Sequence, residues 1–139
     1  MFDARIESPS SWALDYVGLP YILGAGECAH RAALVWRQVF GWDVEVPAAH
    51  GNLRVAQRLI RTALASGDWV RADAPREGDA VVMYKGDLLA HVGVWVDPGY
   101  VLHCTRAEGM VLTPVADLEA QGFRVAGFFQ RRERAAHAA

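Results

Sequence analysis

The segment His91-Val92-Gly93-Val94-Trp95-Val96-Asp97-Pro98-Gly99-Tyr100-Val101-Leu102-His103-Cys104-Thr105 decides the fold. Two runs rich in β-branched and aromatic residues flank Asp97-Pro98-Gly99, and runs joined by so short a turn form a β-hairpin. If Val96 pairs with Tyr100, His103 faces Gly93. His91 is then diagonal to His103 on the same face of the sheet. Gly93 puts no side chain between the two rings. A slip of one residue would send the histidines to opposite faces, so the register carries chemical weight.

Strand grammar continues on both sides of this hairpin. Pro75-Arg76-Glu77-Gly78-Asp79 is turn chemistry, and Ala80 to Tyr84 is a β-rich run. Met110 to Leu112 reads as a short strand, Asp117 to Gln121 as one helical turn, and Phe123 to Gln130 as a final strand. Upstream the period changes. Ser10 or Ser11 caps a first helix through Val17. Cys28 to Phe40 places Ala32, Val35, Trp36, Val39 and Phe40 near one stripe, with Gly41 as its stop. Asn52 to Ala65 sets Leu53, Ala56, Ile60, Ala63 and Leu64 opposite Arg54, Arg58 and Arg61. Helices precede strands, which predicts an α+β fold with N-terminal helices packed on a C-terminal antiparallel β-sheet.

The length of 139 residues fits a single domain spanning 1–139, with flexible ends expected at 1–10 and 132–139. Arg131-Arg132-Glu133-Arg134 reads as a solvated terminus. With 14 basic and 16 acidic residues the net charge is −2, which argues against nucleic acid or an anionic membrane as partner. No apolar run approaches the ~20 residues of a membrane span, and Met1 to Ser11 lacks the pattern of a secretory signal. The chain is therefore expected to be made in the cytoplasm without a signal peptide. Two cysteines, Cys28 and Cys104, allow at most one disulfide.

Cys28 opens the second helix after the flexible Gly24-Ala25-Gly26-Glu27. A thiol there sits beside unpaired backbone N–H groups and the positive end of the helix dipole, and both favour thiolate. Two same-face histidines far downstream complete the sequence pattern of a nucleophilic cysteine with an imidazole base. One imidazole takes the thiol proton and returns it to the leaving amine; the other fixes the first ring's tautomer. Cys28, His30, His91, His103 and Cys104 also invite a zinc reading. Adjacent residues on a strand point to opposite faces, which keeps His103 and Cys104 from one ion. No metal or cofactor is expected. His50 and His137 read as loop or solvated positions.

These blocks resemble the NlpC-type peptidoglycan cysteine peptidases, a papain-like family. The resemblance runs from about Trp12 to Arg131. It rests on Tyr16-Val17-Gly18-Leu19-Pro20-Tyr21, Gly24, Cys28 and Leu34-Val35-Trp36-Arg37-Gln38-Val39-Phe40-Gly41. It continues through Arg76-Glu77-Gly78-Asp79-Ala80-Val81-Val82-Met83, His91-Val92-Gly93-Val94-Trp95-Val96 and Val101-Leu102-His103. The resemblance implies Cys28 as nucleophile, His91 as base and His103 as the residue that orients it. It places Tyr21 beside the oxyanion site and Glu27 in substrate binding. The run ending at Gly41 is closest to versions found in tailed-phage tail-tip modules. This implies a virion-borne cell-wall hydrolase whose partners are the peptidoglycan stem peptide and other tail proteins. Where the family has Asp-Cys-Ser-Gly or Asp-Cys-Trp-Gly, this chain has Glu27-Cys28-Ala29-His30. Ala29 lacks the hydroxyl and His30 adds bulk on the first helical turn. A structural tail component with weak or lost activity is the alternative, and an amidase or acyltransferase on the same scaffold is a third.

Overall fold

The computed structural model describes residues 7–133. Most of the expected flexible ends, and His137, lie outside these residues. Within them, Tyr100 donates its hydroxyl to the Glu7 carbonyl (3.1 Å) and the Ser10 N–H donates to Asp97 O (3.2 Å).

The first helix is a 3₁₀ helix, Ser11–Asp15, shorter than the sequence suggests. Ser10 precedes it but makes no side-chain cap. Helix α1 spans Cys28–Phe40 and stops at Gly41, whose φ of 71° is the left-handed conformation glycine adopts freely. Helix α2 spans Leu53–Ala65 and starts at Asn52, whose side chain accepts from Arg54 N (3.0 Å) and Val55 N (3.1 Å). The strands are β1 Trp69–Ala72, β2 Ala80–Lys85, β3 Leu88–Val96, β4 Tyr100–Thr105, β5 Gly109–Pro114 and β6 Phe123–Arg131. They form one six-stranded sheet in the order β1-β6-β2-β3-β4-β5, and every pairing is antiparallel. Between β5 and β6 the predicted single turn is two 3₁₀ turns, Val115–Asp117 and Glu119–Gln121.

Both faces of the sheet are covered. On one, Val82, Val92, Val94, Val96, Tyr100 and Leu102 pack against Ala32, Val35 and Trp36 of α1. On the other, Val81, Met83, Trp95 and Val101 pack against Leu118 and Phe123. Strand alternation puts His91 and His103 on this second face. The turn before β2 is pinned from α1, where the Trp36 indole donates to Gly78 O (2.7 Å).

One expectation changes. Arg131 is no part of a solvated tail: it is buried at the end of β6, lies 5.2 Å over the Trp69 ring and donates to Asp43 O (3.3 Å). Its methylenes and planar head suit an aromatic face better than water alone. Helix α2 buries none of its residues fully. Its apolar stripe instead roofs a cavity of about 510 Å³ between the helices and the sheet.

Candidate active site

The hairpin register is the one the sequence predicts: Val96 pairs with Tyr100, Trp95 with Val101 and Val94 with Leu102. Pairing of β3 with β4 ends there. Beyond Val94 and Leu102 no further backbone pairs join the two strands, and His91 meets His103 through their side chains. His91 Nε2 lies 2.8 Å from His103 Nδ1, with the rings edge to face at 80°. A Cβ on Gly93 would come within 2.9 Å of His103 Cβ and 3.0 Å of Leu102 O, so the close approach requires glycine.

The end of the pairing also leaves β3 backbone that β4 does not take. Cys28, at the first position of α1, lies against the N–H groups of Val92 and Ala29. Cys28 and His91 are both among the residues that line the cavity. Among the described contacts no hydrogen bond joins the two. The helix start, expected to favour thiolate, is opposed here by desolvation. Burial pushes the thiol above its ordinary value, and the N–H groups that pull it down do not offset the desolvation. Glu27 adds to the rise. Both shifts run the same way, towards an uncharged thiol and an uncharged imidazole.

Both histidines are held neutral. Burial drives His91 well below its ordinary value, and His103 and Lys85 add to the shift. Burial lowers His103 to about 4, partly offset by its hydrogen bond to Gln121. Three further residues frame the pair, none singled out by the sequence reading. Phe123 stacks on His91 at 4.1 Å and 20°, and meets His103 edge on at 5.3 Å. Thr113 Oγ1 and Gln121 Oε1 each lie 3.1 Å from His103 Nε2. Pairing His103 with Val111 sets Thr113 diagonal to it on the same face, which a longer β5 reading would have shown.

Tyr21 and Glu27 stand together on the cavity wall. The Tyr21 hydroxyl donates to Glu27 Oε2 (3.2 Å), and Arg106 Nη2 reaches the same hydroxyl at 3.5 Å. Glu27 is buried. It accepts from Gly24 N (3.3 Å) and Ala49 N (3.2 Å), and the Gly51 backbone also contributes. Desolvation works to raise its carboxyl, but these donors outweigh it and hold the group below the usual carboxylate range. His30 Nδ1 accepts from the Glu27 N–H (3.3 Å), the part a Glu or Gln plays in a capping box. Cys104 is buried on β4, with its thiol 3.7 Å from Gly26 O, and forms no disulfide. Among the described residues no three His, Cys, Asp or Glu gather as ligands for a metal ion. No helix among them is long and apolar enough to cross a membrane.

A helix-start cysteine lining the same cavity as His91, which is hydrogen-bonded to His103 on the adjacent strand, can be compared with solved structures. The chain is similar to the crystal structure of the NlpC/p60 domain of the peptidoglycan hydrolase SagA, with a TM-score of 0.52. The match covers 84% of this chain and 90% of that one. The chain has the NlpC/p60 fold. At 17% identity this likeness speaks to the fold alone. No family model matches the sequence, and no curated protein does. In the NlpC/p60 arrangement seen here, the helices precede the sheet and the paired histidines occupy β3 and β4.

Proposed function

We propose that the chain is a single-domain cysteine peptidase that hydrolyses amide bonds of the peptidoglycan stem peptide. We further propose that it acts as a phage tail-tip component during host entry. The observation that carries the chemistry is the His91–His103 hydrogen bond of 2.8 Å beside the cavity that holds Cys28. His91 Nδ1 takes the thiol proton as Sγ bonds to the substrate carbonyl carbon. The collapsing intermediate breaks the C–N bond, and the amine leaves with that proton. Water then attacks the thioester, releasing the acid and restoring the thiol. His103 holds the His91 ring and stabilises its cation. The Cys28 backbone N–H at the start of α1 is the oxyanion donor, with Tyr21 on the adjacent wall. The peptidoglycan substrate is supported by the hydrolase of the same fold. The tail assignment is supported by the Leu34 to Gly41 run.

Incubating purified sacculi with the protein and identifying the released fragments by mass spectrometry tests the reading. The wild type is expected to release peptide fragments and Cys28→Ala none, with both proteins equally folded. Equal release by Cys28→Ala would overturn it. A purely structural tail component is favoured by the exposed Leu14, Val17, Ile22 and Leu23. That reading predicts sacculi untouched by wild type and variant alike.

A further inference from the structure

We propose that Gln121 is a positioning residue that sets the tautomer of both histidines and so leaves His91 Nδ1 free to accept a proton. The importance for catalysis rests on the peptidase reading; the tautomer itself does not.

The argument starts from three polar atoms at the outer end of the pair. Thr113 Oγ1 lies 3.1 Å from Gln121 Oε1, and both lie 3.1 Å from His103 Nε2. An amide oxygen has no proton to give. The Thr113 hydroxyl therefore donates to Gln121, and towards His103 it can only accept. With two acceptors before it, His103 Nε2 carries the proton. His103 Nδ1 is then a lone pair, and the 2.8 Å contact to His91 Nε2 requires that nitrogen to donate. One proton remains on neutral His91 and it is on Nε2, so Nδ1 is bare. Gln121 thus acts through two rings on a nitrogen it never touches.

The backbone explains why Gln121 can do this. Gly122, at φ 91°, turns the chain between Gln121 and Phe123. Gln121 caps the outer nitrogen of His103 while Phe123, buried, stacks on His91. One three-residue turn therefore fixes the proton order of the pair and the ring plane of the base.

Without Gln121, the Thr113 hydroxyl is free to rotate and donate to His103 Nε2. The proton then sits on His103 Nδ1, His91 Nε2 accepts it, and the His91 proton moves to Nδ1. That nitrogen is the one needed to take the thiol proton. A misplaced imidazole proton defeats a general base even where the geometry survives.

The test uses the full chain with 15N-labelled histidine, whose two ring nitrogens report their protonation directly by NMR at pH 7. The wild type is expected to show protonated Nε2 and bare Nδ1 on both rings. Gln121→Leu should shift both rings towards the reverse tautomer. Gln121→Glu and Thr113→Val, which keep an acceptor without a competing donor, should hold the wild-type pattern. If activity on sacculi is present, kcat should fall on the order of ten-fold or more in Gln121→Leu, with KM little changed and recovery in Gln121→Glu. Gln121 is exposed as a residue, which favours folding of its variants. Should Gln121→Leu nevertheless misfold, a reversed pattern in Thr113→Val overturns the proposal and a retained one supports it. Wild-type tautomers persisting in folded Gln121→Leu, or a reversed pattern in the wild type, overturn it too. The expected tautomers in a wild type inert towards sacculi would overturn the peptidase reading alone.

Discussion

Acidification should unfold this protein through the histidine pair, and His103 sets the size of the effect. His103 is 1% exposed and its ring stays neutral down to about pH 4, against an ordinary value of 6.5. The unfolded chain binds a proton on His103 below pH 6.5, whereas the folded chain binds it only near pH 4. Between those values the unfolded state holds the extra proton, so stability is full above 6.5, falls as pH drops and levels off below about 4. The full difference, about 2.5 on the pH scale at about 1.4 kcal/mol each, is roughly 3.5 kcal/mol, of which about 3 is already lost at pH 4. That is a large share of the ~5–15 kcal/mol that holds a typical domain together. His91 shifts in the same direction and adds to the loss. Carboxylates also contribute to acid unfolding, so the measurement is a difference. Urea unfolding of wild type and His103→Gln at pH 7.5, 6, 5 and 4 isolates the histidine. The gap between the two stabilities should shrink by about 3 kcal/mol towards pH 4, because the variant has no ring to protonate at that position. Two curves that stay parallel across this range would refute the burial argument.

Two further substitutions probe the scaffold. Gly93→Ala places a methyl 2.6 Å from Val101 Cγ1 and 2.9 Å from His103 Cβ. It should cost about 1–3 kcal/mol in urea unfolding and break the His91–His103 contact, visible as a changed histidine NMR pattern; an unperturbed pair would refute it. Asn52→Ala removes the cap of α2 and should cost about 1 kcal/mol in thermal unfolding, with no change in the histidine signals.

The parts of the fold that were legible in the sequence are those whose signal is local. Gly41 and the apolar stripe bound α1 correctly, and the three-residue turn at Asp97 to Gly99 fixed the register that brings His91 to His103. β1, Trp69–Ala72, was missed. It is an edge strand with a mixed burial pattern, paired only with the last strand of the chain, so nothing nearby in sequence announces it. Thr113, Gln121 and Phe123 were missed for a related reason. Each meets the histidines through sheet order and one glycine turn, and none carries a signal of its own. The Cys28 expectation meets a competition that sequence does not display. A helix start favours the anion, while desolvation of the sulfur raises the thiol.

Glu27 is held in place by donors from two loops. A carboxylate offers about four lone-pair positions. Tyr21 OH and Gly24 N take Oε2, Ala49 N takes Oε1, and the Gly51 backbone adds a further donor. The side chain thereby ties the loop before α1 to the loop before α2, across the mouth of the cavity. Its buried charge is tolerated because the donors outweigh desolvation, which is why its carboxyl lies low despite burial. Glu27 is thus engaged by the chain's own donors on both oxygens, and His30 closes the backbone cap below it. The unusual Glu27-Cys28-Ala29-His30 sequence therefore reads as a brace that fixes the cavity wall around Cys28. Arg106 and the apolar stripe of α2 line the same cavity.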